Sequence, residues 1–303
     1  MGALTRKFQD YTFPPQWAAR AGRPASANCQ RRPPVTIDWM RIPLFHVNAF
    51  IEQGFCGNPA AICFLDSWLD EGQLRKVAAE NNLPATAFLV PGEGGYELRW
   101  FTPRYEVKLC GHATLASAHV LLNLWHPELD SVKFATKFRG ALTVGKVGGF
   151  LRMDFPSIPT KPCGTMPPGL TEALGLRSQP TEVLEGDNAY ILVSEGVEAV
   201  RNLRPSFGFL ERLHPFVAVV TAQGGDVDFV SRYFAPSYGI PEDPVTGSAH
   251  CALAPYWSNR LGKSKLHARQ ISERGGEVWC EVAGDRVLLK GKAVVTMEGF
   301  ISI

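Results

Sequence analysis

The sequence predicts an α+β fold made of two related halves, and three observations carry that prediction. The first is a repeat. Residues 99–125 (RWFTPRYEVKLCGHATLASAHVLLNLW) and 232–257 (RYFAPSYGIPEDPVTGSAHCALAPYW) both run Arg-aromatic-Phe-x-Pro, then reach a glycine that opens an Ala-rich apolar helix. Arg99, Phe101, Pro103 and Gly111 correspond to Arg232, Phe234, Pro236 and Gly247. Two copies so far apart indicate paired halves rather than a solenoid. The second observation is the run of small residues after each glycine: Ala113, Ala116 and Ser117 in one copy, Ser248, Ala249 and Ala252 in the other. They let strands pack close to the helix. The third is that strand and helix patterns mix without a regular βαβ alternation, which argues against a doubly wound sheet.

Taken in order, the first strand-like run covers 42–49, a turn follows at Gly57-Asn58-Pro59, and a second strand covers 60–65. Ser67 is placed to cap a helix over 70–81 with Leu69, Leu74, Val77 and Ala78 on one face. Strands are expected near 85–90 and 96–101, followed by the first glycine-opened helix over 112–125. Alternation through Val132, Phe134, Leu142, Val144, Leu151, Met153 and Phe155 reads as a meander. Five prolines between 156 and 168 mark a linker, so the halves divide as 40–155 and 156–292. The second half reads as a short helix (170–176), a strand (190–194), a helix near 197–212, strands over 215–221 and 227–234, and the second glycine-opened helix (248–261). The tail alternates again from Val278 to Val295.

Residues 1–39 stand apart, with five prolines, six Lys/Arg, two Asp and no hydrophobic period. They read either as a transit peptide or as a disordered extension ahead of the true start; Asp10 and Pro14-Pro15 spoil an amphipathic helix and favour the second.

The 303-residue chain is long enough for two cores, and 45% hydrophobic with 20% charged residues is ordinary for a globular protein. A formal charge of +2 argues for neither nucleic acid nor a membrane surface. No apolar run is long enough to span a bilayer, and GxGxxG and Walker A spacings are absent. Seven cysteines form no CxxC pair, so free thiols in a reducing cytoplasm are expected, with no metal site. A helix N-terminus carries unpaired N–H groups and partial positive charge. If the halves face each other, the openings at Gly111 and Gly247 converge on one cleft, and the expected ligand is a small anion, a carboxylate above all.

The phrases FxGNPAAxC (55–63), FTPxxEVxLCGHATLASAH (101–119), RYFAPxxGxxEDPVTGSAH (232–250), QxSxRGG (270–276) and GKAVxxxEG (291–299) resemble the phenazine-biosynthesis PhzF-like family. The resemblance covers essentially 41–303. It implies the diaminopimelate epimerase-like fold, two pseudosymmetric domains each with a curved sheet around a central helix, and a last strand (293–303) that can return to the first domain. A homodimer is plausible, and the resemblance also implies a cofactor-independent isomerase in which a Glu shuttles a proton on a cyclohexadiene carboxylic acid with help from a His and an Asp. Here those would be His112 and Asp243, with Gly111, Thr246, Gly247 and Ser248 holding the substrate carboxylate.

One departure is central. The family's shuttle Glu lies in a segment of the form NLSETAF, and this chain reads Asn82-Leu83-Pro84-Ala85-Thr86-Ala87-Phe88. Ala85 takes the place of the Glu, and a methyl group carries no proton. Glu80 has no spacing that brings it to the same point, and Asn48 stands where the family often has Asp. Cys110 is a further candidate base, because a helix opening lowers a thiol's pKa; the alternative is an inert packed thiol. Related racemases pair such a Cys with a second one, and Pro244 falls roughly where that second Cys would be. Cys251 is expected in the core, and His119 and His250 are expected to pack or reach solvent. Asn58 is either a turn former or a substrate-binding amide. Two readings of function stay open: an isomerase moving a proton and a double bond on a small cyclic or unsaturated carboxylate, or a carboxylate-binding relative that has lost turnover.

Overall fold

The computed structural model describes residues 40–303, so the reading of residues 1–39 lies outside the described residues. The apolar run after Met40 forms β1 (Arg41–Ala49), which pairs antiparallel with β2 (Asn58–Phe64). β2 pairs parallel with β3 (Ala85–Gly92), and the crossover between them is α1 (Glu71–Asn81), which buries Leu74, Val77 and Ala78. Asp70, rather than Ser67, caps α1: its side chain accepts from the Gln73 N–H at 2.9 Å. A cap must stand immediately before the first helical residue to reach the third amide, and Ser67 comes too early. The half continues through β4 (Gly95–Phe101), β5 (Glu106–Val107), α2 (Gly111–His119), β6 (Ser131–Thr136), β7 (Gly140–Val147) and β8 (Phe150–Pro156). The expected helix over 112–125 is α-helical only to His119 and then widens into a π-type segment, Val120–Trp125.

The second half holds β9 (Lys161–Pro162), α3 (Leu170–Leu174), β10 (Glu182–Gly186), β11 (Ala189–Val193), α4 (Val197–Arg201), α5 (Phe207–Leu210), β12 (Val217–Gln223), β13 (Phe229–Ala235), β14 (Ile240–Asp243) and α6 (Gly247–Leu261). β15 (Lys265–Gln270), β16 (Gly276–Ala283), β17 (Arg286–Gly291) and β18 (Ala293–Ser302) complete the chain. The single helix expected over 197–212 is broken between α4 and α5, where Pro205 withholds an N–H and pushes its neighbour out of helical geometry.

One mixed sheet runs through both halves. β8 pairs antiparallel with β17, and β18 returns to pair with β1 along its whole length. Each half wraps its strands around one central helix. His112 through Ser117 of α2 are buried, as are Cys251 through Ala254 and Trp257 of α6, and both helices belong to one continuous core. Thr114 and Ser117 are tolerated inside because their hydroxyls donate back to the Cys110 and Ala113 carbonyls, at 2.7 and 2.8 Å. Pro255 inside α6 leaves the Cys251 carbonyl without its helical donor; the Ile158 N–H of the inter-half linker supplies one at 2.9 Å.

The repeat has a physical cause. Arg99 stands over the Phe101 ring at 5.2 Å, and its Nε donates to Glu106 of β5 at 2.6 Å. Arg232 stands over the Phe234 ring at 5.0 Å, and its Nε donates to Glu242 of β14 at 2.7 Å. In each half the arginine pins the short strand that leads to the glycine opening.

If the central helices carry the core, Leu115→Ala should lower unfolding free energy by about 2–5 kcal/mol. Leu124→Ala, at a position 47% exposed, should change it by no more than about 0.5 kcal/mol. Urea denaturation of the two variants checks the contrast.

Candidate active site

Gly111 and Gly247 bring the two helix openings face to face: a Cβ on Gly111 would stand 3.9 Å from the Gly247 Cα. In front of them lies a cavity of about 720 Å³ between the halves. Cys110, Gly111 and His112 line it from one side, Asp243, Thr246, Gly247 and Ser248 from the other, and Ala85 contributes to its wall. Cys110 and Thr246 are the N-cap residues of α2 and α6. Thr246, and not Pro244, is therefore the counterpart of Cys110. A hydroxyl stands where a paired-thiol racemase would need its second sulfur.

Asp243 is 8% exposed and closely held. Asn58 Nδ2 donates to its Oδ1 at 2.7 Å, and Thr246 Oγ1 donates to its Oδ2 at 2.5 Å. Burial pushes its carboxyl up to about 6; the Thr246 and Asn58 hydrogen bonds oppose this, and the nearby Glu242 charge adds to it. Burial pushes the His112 imidazole down to about 4, with a hydrogen bond to the Pro59 carbonyl pulling the other way. Cys110 Sγ lies 3.5 Å from His112 Nδ1. The expected lowering of this thiol by the helix opening does not hold. Burial pushes it up to about 12, outweighing the Ala113 amide that favours the thiolate, and the Asp243 charge adds to the rise. The neutral thiol is the ground-state form.

Asn58 does not line the cavity. Its amide donates to Asp243 and, at 2.9 Å, to the Val245 carbonyl, so it supports the acid from behind. Ala85 is 1% exposed and lies with Ala87 and Leu89 on the face of β3 that packs toward α2, whereas Phe88 and Val90 pack toward α1. Among the described residues no glutamate lines the cavity; its carboxylates are Asp243 and the exposed Asp187. Glu80 lies on the exposed face of α1 and Asn48 is buried in β1, both outside the lining. His250 Nδ1 lies 2.8 Å from the Thr246 carbonyl with its ring near Phe229, and His119 Nδ1 lies 2.9 Å from Asn123 Nδ2. Both histidines pack rather than face this cavity. Cys251 touches the cavity's inner wall but is only 3% exposed.

Sequence reasoning missed Tyr233, which lines the cavity opposite Asp243 in the β13–β14 pairing, and Gln270, which is buried behind Thr246. Gln270 opens QxSxRGG, a phrase whose only signal was its resemblance. No group of three or more His, Cys, Asp or Glu residues among the described residues could hold a metal ion, and no described helix is long and apolar enough to cross a membrane.

A family model described as phenazine biosynthesis-like protein matches residues 47–299. An uncharacterised isomerase of Pseudomonas aeruginosa is 47% identical over 264 residues, covering 87% of this chain and 100% of that protein. The human phenazine biosynthesis-like domain-containing protein is 35% identical over 294 residues, again with 87% and 100% coverage. The crystal structure of a PhzF-family protein from Enterococcus faecalis superposes with a TM-score of 0.82 at 41% identity, covering 87% of this chain and all of that one. A hydroxyproline epimerase from Agrobacterium vitis shares the fold at a TM-score of 0.58 and 9% identity, over 88% of this chain and 93% of that one.

The buried imidazoles set an acid limit on stability. His112, His119 and His250 are each pushed down by burial from 6.5 to about 4, so the folded state binds fewer protons than the unfolded chain in that window. Their cost is absent above 6.5 and grows as pH falls toward 4. Asp243, pushed up by burial from 3.8 to about 6, has the opposite sign: its cost grows as pH rises through that range. His46 is also lowered by burial, so four imidazoles stand against one carboxyl and stability to urea should be lower at pH 5 than at pH 7. His250→Phe should reduce the difference, and equal differences in variant and parent would count against this account.

Proposed function

The chain belongs to the phenazine biosynthesis-like PhzC–PhzF family, and we propose that it is an isomerase acting by proton transfer on a small cyclic or unsaturated carboxylate. The observation that carries this reading is the meeting of the Asp243 carboxyl and the His112 imidazole at two facing helix openings. Backbone N–H groups at Gly111–His112 and Gly247–Ser248 hold the substrate carboxylate. Above about pH 6 Asp243 is ionised and serves as the base. It takes a proton from a carbon conjugated with the carboxylate, the C–H electron pair moves into the conjugated system, and the double bond shifts. The proton returns to a different carbon, from Asp243 itself or through His112 and the protonated Cys110 thiol beside it. One C–H bond breaks, one forms, and no electrons are gained or lost, so the chemistry needs no redox cofactor. A cytoplasmic homodimer completes the reading.

A second reading has its own observation. Ala85 lies on the inner face of β3, and no glutamate among the described residues lines the cavity, which favours a carboxylate-binding relative without turnover. In both readings small carboxylates should bind at the helix openings. Titration with benzoate and cyclohexene carboxylate should shift the amide signals of Gly111, His112, Gly247 and Ser248; unchanged signals at both glycines would count against a paired anion site.

The readings part on exchange. Incubated in D₂O with unsaturated carboxylates, the protein should wash deuterium into substrate, with the rate rising as pH passes upward through about 6. Asp243→Asn and His112→Ala should each lower the rate about 10²–10⁴-fold, the usual worth of a positioned acid or base. Ala85→Glu should add turnover of cyclohexadiene carboxylic acids. Brisk exchange untouched by Asp243→Asn, His112→Ala and Cys110→Ser would move the centre elsewhere; no exchange with any substrate that binds would leave the second reading.

A further inference from the structure

The segment from Gln270 to Glu277 carries no chemistry in the proposed reaction, yet it is bonded to both sides of the site. Gln270 is fully buried at the end of β15. Its Oε1 accepts from the Thr246 N–H at 2.9 Å, and its Nε2 donates to the Asp243 carbonyl at 2.6 Å and to Thr246 Oγ1 at 3.2 Å. Ser272 Oγ donates to the Pro244 carbonyl at 2.8 Å. From the same segment Arg274 Nε donates to the Gly57 carbonyl at 3.0 Å, and the Gly275 carbonyl accepts from the Gly57 N–H at 2.7 Å. The Glu277 N–H donates to the Phe50 carbonyl at 3.0 Å. Gly276 permits the approach, since a Cβ there would lie 2.4 Å from the Phe50 carbonyl oxygen and 2.6 Å from Val245 Cγ2. One short strap thus fastens the Asp243–Thr246 turn of the second half to the Phe50–Asn58 turn of the first.

The direction of these bonds is decisive. A threonine hydroxyl has one proton. With Gln270 donating to its oxygen, that proton is free to point at Asp243 Oδ2, and a chain of donors polarises each bond in turn. We propose that Gln270 is a positioning residue for Asp243, aiming the Thr246 hydroxyl at one carboxylate oxygen while the Arg274–Gly275 end of the strap holds Asn58 against the other. The inference rests on the reading of Asp243 as the proton carrier. The other titratable groups around the carboxyl are Glu242 on its own strand, held by Arg232, Tyr233 across the β13–β14 pairing, and Cys110 and His112 from α2. Of these, Glu242 opposes ionisation. The donors to the carboxylate are Asn58 and Thr246.

The test reads Asp243 directly in the substrate-free protein, by the pH dependence of its ¹³Cγ signal, assigned with Asp243→Asn. Gln270→Met, close in shape but without donors, should move the midpoint upward by about half to one pH unit. Thr246→Val should move it in the same direction, and Gln270→Met added to Thr246→Val should move it no further, because the route runs through the hydroxyl. If Gln270→Met does not fold, Gln270→Asn withdraws the same amide by one methylene and should give a shift of the same sign. An unchanged midpoint in the Gln270 variant, or shifts that simply add in the double variant, would overturn the proposal. Because the titration needs no substrate, a correct shift in a protein without exchange activity would reject the isomerase and keep the positioning role. Exchange with an unmoved midpoint would do the reverse.

Discussion

Two like helix poles brought together in a low-dielectric interior set the terms for the rest of this molecule. Each opening carries roughly half a positive charge, and the 3.9 Å between a Gly111 Cβ position and the Gly247 Cα leaves no side chain between them. The arrangement is unfavourable unless something negative stands in front of both. Asp243 partly meets that need, yet burial still pushes its carboxyl up to about 6, so loss of water outweighs the Thr246 and Asn58 donors. That unmet charge is what the proposed carboxylate would supply, and Asp243 is the group proposed to exchange the proton.

Pseudosymmetry supplies the scaffold, and a break in it supplies the groups proposed to carry the chemistry. In the β4–β5 pairing Trp100 faces Val107, and in the β13–β14 pairing Tyr233 faces Asp243. Three residues further on, Cys110-Gly111-His112 answers Thr246-Gly247-Ser248. The same frame therefore presents Val107, Cys110 and His112 from one half, and Asp243, Thr246 and Ser248 from the other. The scaffold was legible in the sequence because the Arg-on-Phe contact and the Arg–Glu pair demand residues at fixed local spacing. Three extra residues separate Pro236 from Gly247, compared with Pro103 from Gly111, so counting from the prolines misses Thr246, whereas counting back from the aligned glycines reaches it.

Contacts between distant segments were not legible. Asn58 looked like a turn former, and nothing near it in the chain announces that its amide reaches a carboxylate 185 residues away. Gln270 looked like an ordinary end-of-strand residue; its role depends on where β15 lies beside β13. The expected activation of Cys110 failed for a related reason. Helix position can be read from sequence, whereas burial by a facing half cannot, and at this sulfur burial is the larger effect. Local rules named the candidates, and long-range packing decided what each one does.

Ala85 separates two layers of encoding. Its place on β3 is fixed by alternation, with Ala85, Ala87 and Leu89 turned toward α2, so any residue at 85 faces the cavity. The groups proposed to hold a carboxylate are backbone N–H groups at glycine openings, and no side-chain exchange at 85 removes them. The proposed anion binding would therefore lie in the main chain and resist substitution, while the proposed proton transfer would lie in single side chains and could be lost or moved in one step. A chain that keeps the openings, Asp243 and His112 but carries Ala85 retains the first layer whole. Its proposed proton transfer is left to Asp243 from one half and His112 from the other.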